Sequence, residues 1–327
     1  MKSDSPAVTV IVPVYNVEAY IEKCARSLFE QTLDDIEYIF VDDCTPDKSI
    51  EILSTIIEDY PHRKKQVKII HNKTNLKQGG TRSVGMKAAT GDYLIHCDPD
   101  DWVETNMYEL LYNKAIEDKA DIVVCDFYHE FPNGRKVEHY TPIPNPIDCI
   151  NKSAETKYWW SLWNRLFHKK FTSTYKIYPP NDFYYLEDKF QCVKSYIKAS
   201  KISYIDIPLY HYLRTNETSM CNTVNDAIDL YGQINCLNKL LPVFKNENVY
   251  NQLLPFINLH KINFRDRILL YSPIDFFKWR NTYPEIVNVI VNDKNLKLSY
   301  RICYLLAQKG FTLPLVMYIS FSNRRRQ

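Results

Sequence analysis

Two hydrophobic periods alternate along the first part of the chain. Val8-Thr9-Val10-Ile11-Val12 is a β-branched run ended by Pro13, and Ile36 to Val41, Val67 to Ile70, Tyr93 to Cys97 and Asp121 to Cys125 are further short apolar runs. Runs of this length bounded by breakers predict buried strands. Between them apolar residues recur at helical spacing: Ile21, Ala25 and Leu28 within Glu18 to Phe29, and Ile50, Leu53 and Ile57 in a helix running to Tyr60. Thr45-Pro46-Asp47 reads as the N-cap of that second helix, with proline at its first position. A polar loop from His71 to Gly80 leads into a helix ending at Ala89, and Glu104 to Asp118 is helical again. Strands that alternate with helices predict a doubly wound, mostly parallel α/β sheet, which binds ligands outside the carboxyl ends of its strands.

After Asp126 the pattern changes. Phe127 to Tyr140 holds an Asn133-Gly134 hairpin signal, and Pro142 to Pro146 is a proline-rich connector. Tyr158 to Phe171 reads as an aromatic helix, Asn181 to Glu187 as a loop, Asp188 to Ala199 as a helix, and Ile202 to Tyr212 as a strand interrupted by Pro208. Beyond Asn222 only helices are expected. The division is therefore a domain of residues 1–221, in halves of 1–126 and 127–221, followed by a helical region of 222–327.

Composition narrows the function classes. The chain has 327 residues and a formal net charge of +2, without the basic excess of a nucleic-acid binder. Its nine cysteines are odd in number and none are paired at CxxC spacing, so a reduced, cytoplasmic chain is expected. No apolar stretch reaches the 18 residues that suggest a membrane span. The N-terminus lacks the basic start and long apolar region of a signal peptide.

The candidate chemistry sits at strand ends. Asp98-Pro99-Asp100-Asp101 directly follows a strand, and three carboxylates so close repel unless a cation joins them. Magnesium-like ions use one or two carboxylates together with substrate phosphates and water. Turn and cap roles account for the same residues on an open surface. Asp42-Asp43 ends another strand, where an acid can accept from a ribose or base or merely precede a helix. Asn75 to Arg82, NLKQGGTR, contains the one Gly-Gly pair and offers backbone N–H groups and an arginine to an anion, or serves as an ordinary loop. Glu187-Asp188 opens a helix after Phe183, Tyr184 and Tyr185, which suits a helix N-terminus or a general base with a raised pKa.

In order, these pieces resemble glycosyltransferase family 2, the inverting enzymes of GT-A fold. The resemblance rests on VTVIVPVYN at 8–16, SLFEQT at 27–32, IEYIFVDDCTPDKS at 36–49 and NLKQGGTRSVGMKAATGDYLIHCDPDDW at 75–102. It continues through WNRLFHKKF at 163–171, ED at 187–188 and KISYIDIPLYHYLRT at 201–215. It implies a GT-A domain with a C-terminal helical extension, acting on a nucleotide sugar. Pro13, Tyr15, Asn16, Asp43, Asn75, Gly79, Arg82, Asp98 and Asp100 would then bind the donor. Asp98 and Asp100 would hold Mn2+ or Mg2+, and Asp188, with Glu187 beside it, would be the catalytic base. Asp101, Trp163, His211 and Arg214 are candidates for the acceptor or the phosphates. Departures from the family pattern are Thr81-Arg82-Ser83 for Ala-Arg-Asn, Pro99 within Asp-x-Asp, and Cys44 where a glycine often follows two acids. None removes a charged group.

UDP is the favoured carrier, because many relatives use it, and a glycan or lipid-linked glycan is the expected acceptor. Capsule and lipopolysaccharide assembly are the usual settings. Residues 294–327 carry no acid against seven basic residues interleaved with apolar ones. This composition suits an anionic membrane surface, at the inner face of the cell membrane, or a terminal helix packed on the protein with a solvated tail. A nucleotidyltransferase would share the metal and acids but needs a glycine- and basic-rich loop after the first strand, where this chain has PVYNVEAY. A non-catalytic sugar-nucleotide-binding module would lack Asp188.

Overall fold

The strand β1 (Val8–Val14) is buried at all seven positions, because it lies between β2 (Ile36–Asp42) and β4 (Tyr93–His96), both parallel to it. The strand β3 (Val67–His71) extends the parallel set beyond β2. These coordinates are a computed structural model that describes residues 5–140, 143, 145–153, 160–179, 186–216, 226–271 and 276–324. The chain divides into one unit of Met1–Cys149 with Trp159–Thr223 and a second of Ile150–Tyr158 with Val224–Gln327. Residues 142, 144, 158–159, 181–185, 221–222 and 325–326, which carry parts of the expected connector, aromatic helix, loop, boundary and basic tail, lie outside the described residues.

The two faces of the sheet follow from the period of two. Val8, Val10, Val12 and Val14 share a core with α1 (Ile21–Phe29), α2 (Ser49–Asp59) and α4 (Met107–Asp118). Ile11 faces the opposite side, with Ile39, Val41, Leu94 and Met86 of α3 (Lys77–Ala88). The helix α3 begins earlier than its sequence suggests, so Gly79 and Gly80 lie inside it and not in a loop. Close packing explains the glycines at 80 and 85. A Cβ on Gly85 would lie 2.4 Å from Ile11 Cγ2, and one on Gly80 would lie 2.8 Å from Leu76 Cβ.

Past β4 the sheet is mixed. The strand β8 (Arg165–His168) pairs antiparallel with both β4 and β6 (Ile122–Phe131), and β9 (Ile202–Leu213) runs parallel to β6. The register of β6 and β9 slips around Asp126 and Pro208, where proline can donate no ladder bond. The strands β5 (Trp102–Val103) and β7 (Gly134–Glu138) are antiparallel to β9 and β6, and β7 follows the expected hairpin. The full order is β3-β2-β1-β4-β8-β6-β9-β5, with β7 on β6. The aromatic helix expected over Tyr158 to Phe171 is not formed. Its centre becomes β8, because Leu166 and Phe167 are both buried in a strand covered on each face, and only α6 (Lys169–Thr174) is helical. The helix α7 (Glu187–Lys198) completes the elements around the site.

Within the second unit the described elements are helices: α8 (Asp226–Asn246), α9 (Leu254–Tyr271), α10 (Phe276–Asn281), α11 (Ile286–Asn292), α12 (Leu298–Gln308) and α13 (Leu313–Arg324). The helix α5 (Pro146–Ser153) contributes Asn151, which donates to the Gln252 carbonyl and accepts from the Phe256 N–H. Among the described residues no helix is long and apolar enough to cross a membrane.

Candidate functional site

The carboxyl ends of β1, β2 and β4 and the N-terminus of α7 surround a cavity of about 430 Å3. Pro13, Tyr15 and Asn16 enter it from β1, Asp43 from β2, and Asp98 and Asp100 from β4. Asn75 and Arg82 line it before and along α3, and Trp163, Glu187 and Asp188 close the far side. Acids 145 residues apart in sequence, Asp43 and Asp188, thus share one space.

Side chains of the β2–α2 turn shape the first loop. Thr45 Oγ1 accepts from the Asn16 N–H at 2.8 Å, Ser49 Oγ from the Val17 N–H at 3.2 Å, and Asp47 Oδ2 from the Glu18 N–H at 2.8 Å. Thr45 is therefore a tie to the neighbouring loop, and α2 starts at Ser49 with Asp47 accepting from its N–H. Asn16, Cys44, Lys77 and Leu186 all have left-handed backbone, with φ between 54° and 67°. Non-glycine residues adopt that region at a cost, and such residues concentrate at functional sites. Asp43 is held rigidly: its Oδ1 accepts from the Leu76 N–H at 2.7 Å and from Asn72 at 2.8 Å.

Arg82 is the keystone. It is only 3% exposed, and donates through Nη1 to Glu187 Oε1 and through Nη2 to Asp98 Oδ1, each at 2.6 Å. One guanidinium thereby joins the Asp-x-Asp turn to the first turn of α7. Burial pushes the Glu187 carboxyl up to about 7, against the pull of Arg82. Burial raises Asp188 as well, again opposed by Arg82. Asp188 is half-buried, and its Oδ1 accepts the Lys189 N–H at 2.6 Å. The left-handed Leu186 turns the chain into α7 so that both acids sit where the helix dipole favours negative charge.

Asp100 accepts from Asn216 Nδ2 at 2.8 Å, and burial and then the charge of Asp98 push its carboxyl up to about 6. Two acids that disfavour each other's charge and share a cavity form a donor set suited to a hard divalent cation. No cluster of three or more metal-ligating side chains occurs among the described residues, so phosphate and water oxygens would have to complete the shell.

Glycosyl transferase family 2 matches the chain over residues 9–193, more than half its length. The chain belongs to that family. Its mixed sheet is that of the GT-A-like fold, and the chain spans less than two thirds of the length of the first curated relatives it matches. It is 33% identical over 222 residues to the uncharacterized glycosyltransferase EpsJ of Bacillus subtilis, a match covering 66% of this chain and 63% of EpsJ. It is 28% identical over 348 aligned residues to the cholesterol galactosyltransferase of Borreliella burgdorferi, covering 97% and 93% of the two chains. Residues 1–349 of S. aureus TarS in complex with UDP-GlcNAc superpose with a TM-score of 0.70 at 20% identity, over 98% of this chain and 92% of that one.

Four of the expected site residues of this family 2 glycosyltransferase do not line the cavity. Gly79 is buried in the first turn of α3 and does not line the cavity. Asp101 is 1% exposed and accepts from Tyr210 Oη at 2.7 Å and from the Leu213 N–H at 2.8 Å, so its oxygens face the core. His211 is stacked on Trp102 and Tyr128 at 5.0 and 4.7 Å, with its ring nitrogens 3.0 and 2.7 Å from Glu104 and Glu130. Tyr212 lines the cavity, so on a strand its neighbour His211 faces away. Arg214 lies over the Tyr212 ring, 5.3 Å from its centroid. Trp163 does line the cavity and is also core, stacked on Tyr210 at 4.2 Å.

Lys77, Gln78, Tyr212 and Asn216 also line the cavity, as does Thr81, the residue that replaces the family's alanine before Arg82. Lys77 lies within the NLKQGGTR segment that attracted notice for its glycines and arginine. Asn216 follows the last motif by one residue, and its residue type alone carries no signal.

Proposed function

We propose that this glycosyltransferase moves a sugar, with inversion, from a UDP-linked donor to a hydroxyl of a glycan or lipid-linked glycan. The convergence of Asp43, Asp98, Asp100 and Asp188 on one cavity carries this reading. Asp43 accepts from the base, and Asn16, Asn75 and Arg82 surround the nucleotide. Asp98 and Asp100 would hold a divalent cation, Mn2+ or Mg2+, which when bound would offset charge on the departing diphosphate. Asp188 takes the proton of the acceptor hydroxyl as that oxygen bonds to the anomeric carbon. The bond from that carbon to the phosphate oxygen breaks on the opposite face, and its electron pair leaves with the nucleoside diphosphate. The raised pKa of Asp188 favours this role, since a base works best when its pKa lies near the working pH.

The UDP-GlcNAc bound to TarS supports a UDP donor, and the cholesterol galactosyltransferase of B. burgdorferi supports a lipid-borne hydroxyl as acceptor. Polysaccharide assembly fits the relatives. The test is release of nucleoside diphosphate from a panel of UDP, GDP and dTDP sugars with and without Mn2+. Release from a UDP sugar that requires the ion is expected. Release from no sugar, or equal release after chelation, overturns the reading.

A further inference from the structure

The last two helices are apolar on two opposite faces, and the second unit uses one of them. On α12, Tyr300, Tyr304 and Ala307 are buried, while Leu298, Ile302, Leu305 and Leu306 are exposed. On α13, Leu315 and Ile319 are buried, while Leu313, Met317 and Phe321 are exposed. At about 100° per residue the exposed set on each helix falls within an arc of roughly 100°, opposite the buried set. Phe311, in the connection between the helices, is 66% exposed. Soluble chains scatter exposed apolar side chains singly, so eight along two consecutive helices and their connection mark an interaction surface.

Charge identifies the partner. From residue 294 to the end the sequence has seven basic residues and no acid. Lys294, Lys297 and Lys309 are exposed at the ends of α12. Arg301 Nε donates to the Val291 carbonyl at 2.7 Å, which fixes the guanidinium beside the start of α12. A second protein copy presenting the same face would bring like charges together. An anionic lipid surface accepts both the apolar stripe and the basic fringe.

We propose that α12 and α13 form a peripheral docking face for anionic membranes, with the apolar stripes entering the headgroup boundary. No covalent step is involved, and the proposal stands apart from the donor site.

The test uses the full chain in sedimentation with vesicles of phosphatidylcholine alone or with 30% phosphatidylglycerol added, on the order of the anionic content that attracts basic segments. Two variants are compared, Leu298→Ser with Ile302→Ser and Leu306→Ser, and Lys294→Glu with Lys297→Glu and Lys309→Glu. Binding is expected with the anionic vesicles, weakened by salt, and reduced about tenfold or more in each variant. Nucleotide-sugar hydrolysis in solution is expected to be unchanged, which excludes misfolding as the cause. Equal partitioning of wild type and variants overturns the proposal. So does failure to bind vesicles together with a wild-type dimer that the serine variant disrupts, which would assign the face to a second copy.

Discussion

Both units of this family 2 chain bury an arginine and an acid pushed up to about 7, and they do different things with them. In the first, Arg82 bridges Asp98 and Glu187, and all three line the cavity. In the second, Arg265 is fully buried, donates to the carbonyls of Thr282 and Tyr283 at 2.8 and 2.9 Å, and lies over Trp279 at 4.3 Å. Its neighbour Asp266 is raised to about 7 by burial and accepts from Tyr300 Oη at 2.7 Å. A perturbed pKa and a buried charge therefore do not identify a site by themselves. What separates the two is that Arg82 links carboxylates that reach open space, while Arg265 ends on two backbone carbonyls and the Gln308 side chain.

The sharpest break in the comparison is at Asp188. Asp188→Asn should lower transfer by about 10²–10⁴, the range a positioned base contributes, while titration calorimetry still shows donor binding. Normal turnover in that variant would remove Asp188 from the role. Next come the arginines. Arg82→Met leaves the Glu187 and Asp98 carboxylates unpaired and should cost about 3–5 kcal/mol in denaturant unfolding. Arg265→Met leaves the Thr282 and Tyr283 carbonyls unpaired, at about 1–3 kcal/mol each. Only Arg82→Met should also weaken donor binding in the protein that remains folded. Equal loss of binding in both would erase the distinction.

The legible parts of this molecule are those that depend on local pattern. The apolar runs of β1, β2 and β4 fix buried strands, and acids placed just after β2 and β4 must emerge at the carboxyl edge of a parallel sheet. Asp43, Asp98 and Asp100 were readable for that reason. The mixed half was harder. Trp163, Leu166 and Phe167 suit helical spacing and a short buried strand equally, and only pairing with β4 and β6 decides for the strand. His211 and Asp101 were misplaced because nearness to a strand end does not say which face a side chain takes. Arg82 was visible as an anion contact. Its bond to Glu187, 105 residues away, depends on the packing of α7 near α3, which no local pattern encodes.

Glycines give a smaller contrast between the units. Gly85→Ala presses a methyl into Ile11 Cγ2, and overpacking of this kind costs about 1–3 kcal/mol. Adding Ile11→Ala removes the obstructing group, so the pair should be less destabilised than the sum of the single changes. At Gly310 a Cβ meets nothing within 4 Å, but φ is +104°, so Gly310→Ala acts through backbone strain and no space-making partner should rescue it. Thermal midpoints of these four variants check the costs at both positions.

The finest test is pH. Glu187 and Asp266 hold their protons to about 7 in the folded chain, whereas an unfolded carboxyl releases its proton near 4. The folded state therefore binds more protons between these values, and its stability should fall as pH rises from about 4 to about 7. Glu187→Gln and Asp266→Asn should each flatten that slope. Only Glu187→Gln should also move the acidic limb of the transfer rate. Asp188 and Glu187 disfavour each other's charge, so with glutamine at 187 the last part of the Asp188 ionisation, as Glu187 begins to ionise towards pH 7, meets no competing charge and the limb shifts to lower pH. A limb that moves in Asp266→Asn, or stays fixed in Glu187→Gln, would mean that the two buried acids are equally remote from the chemistry.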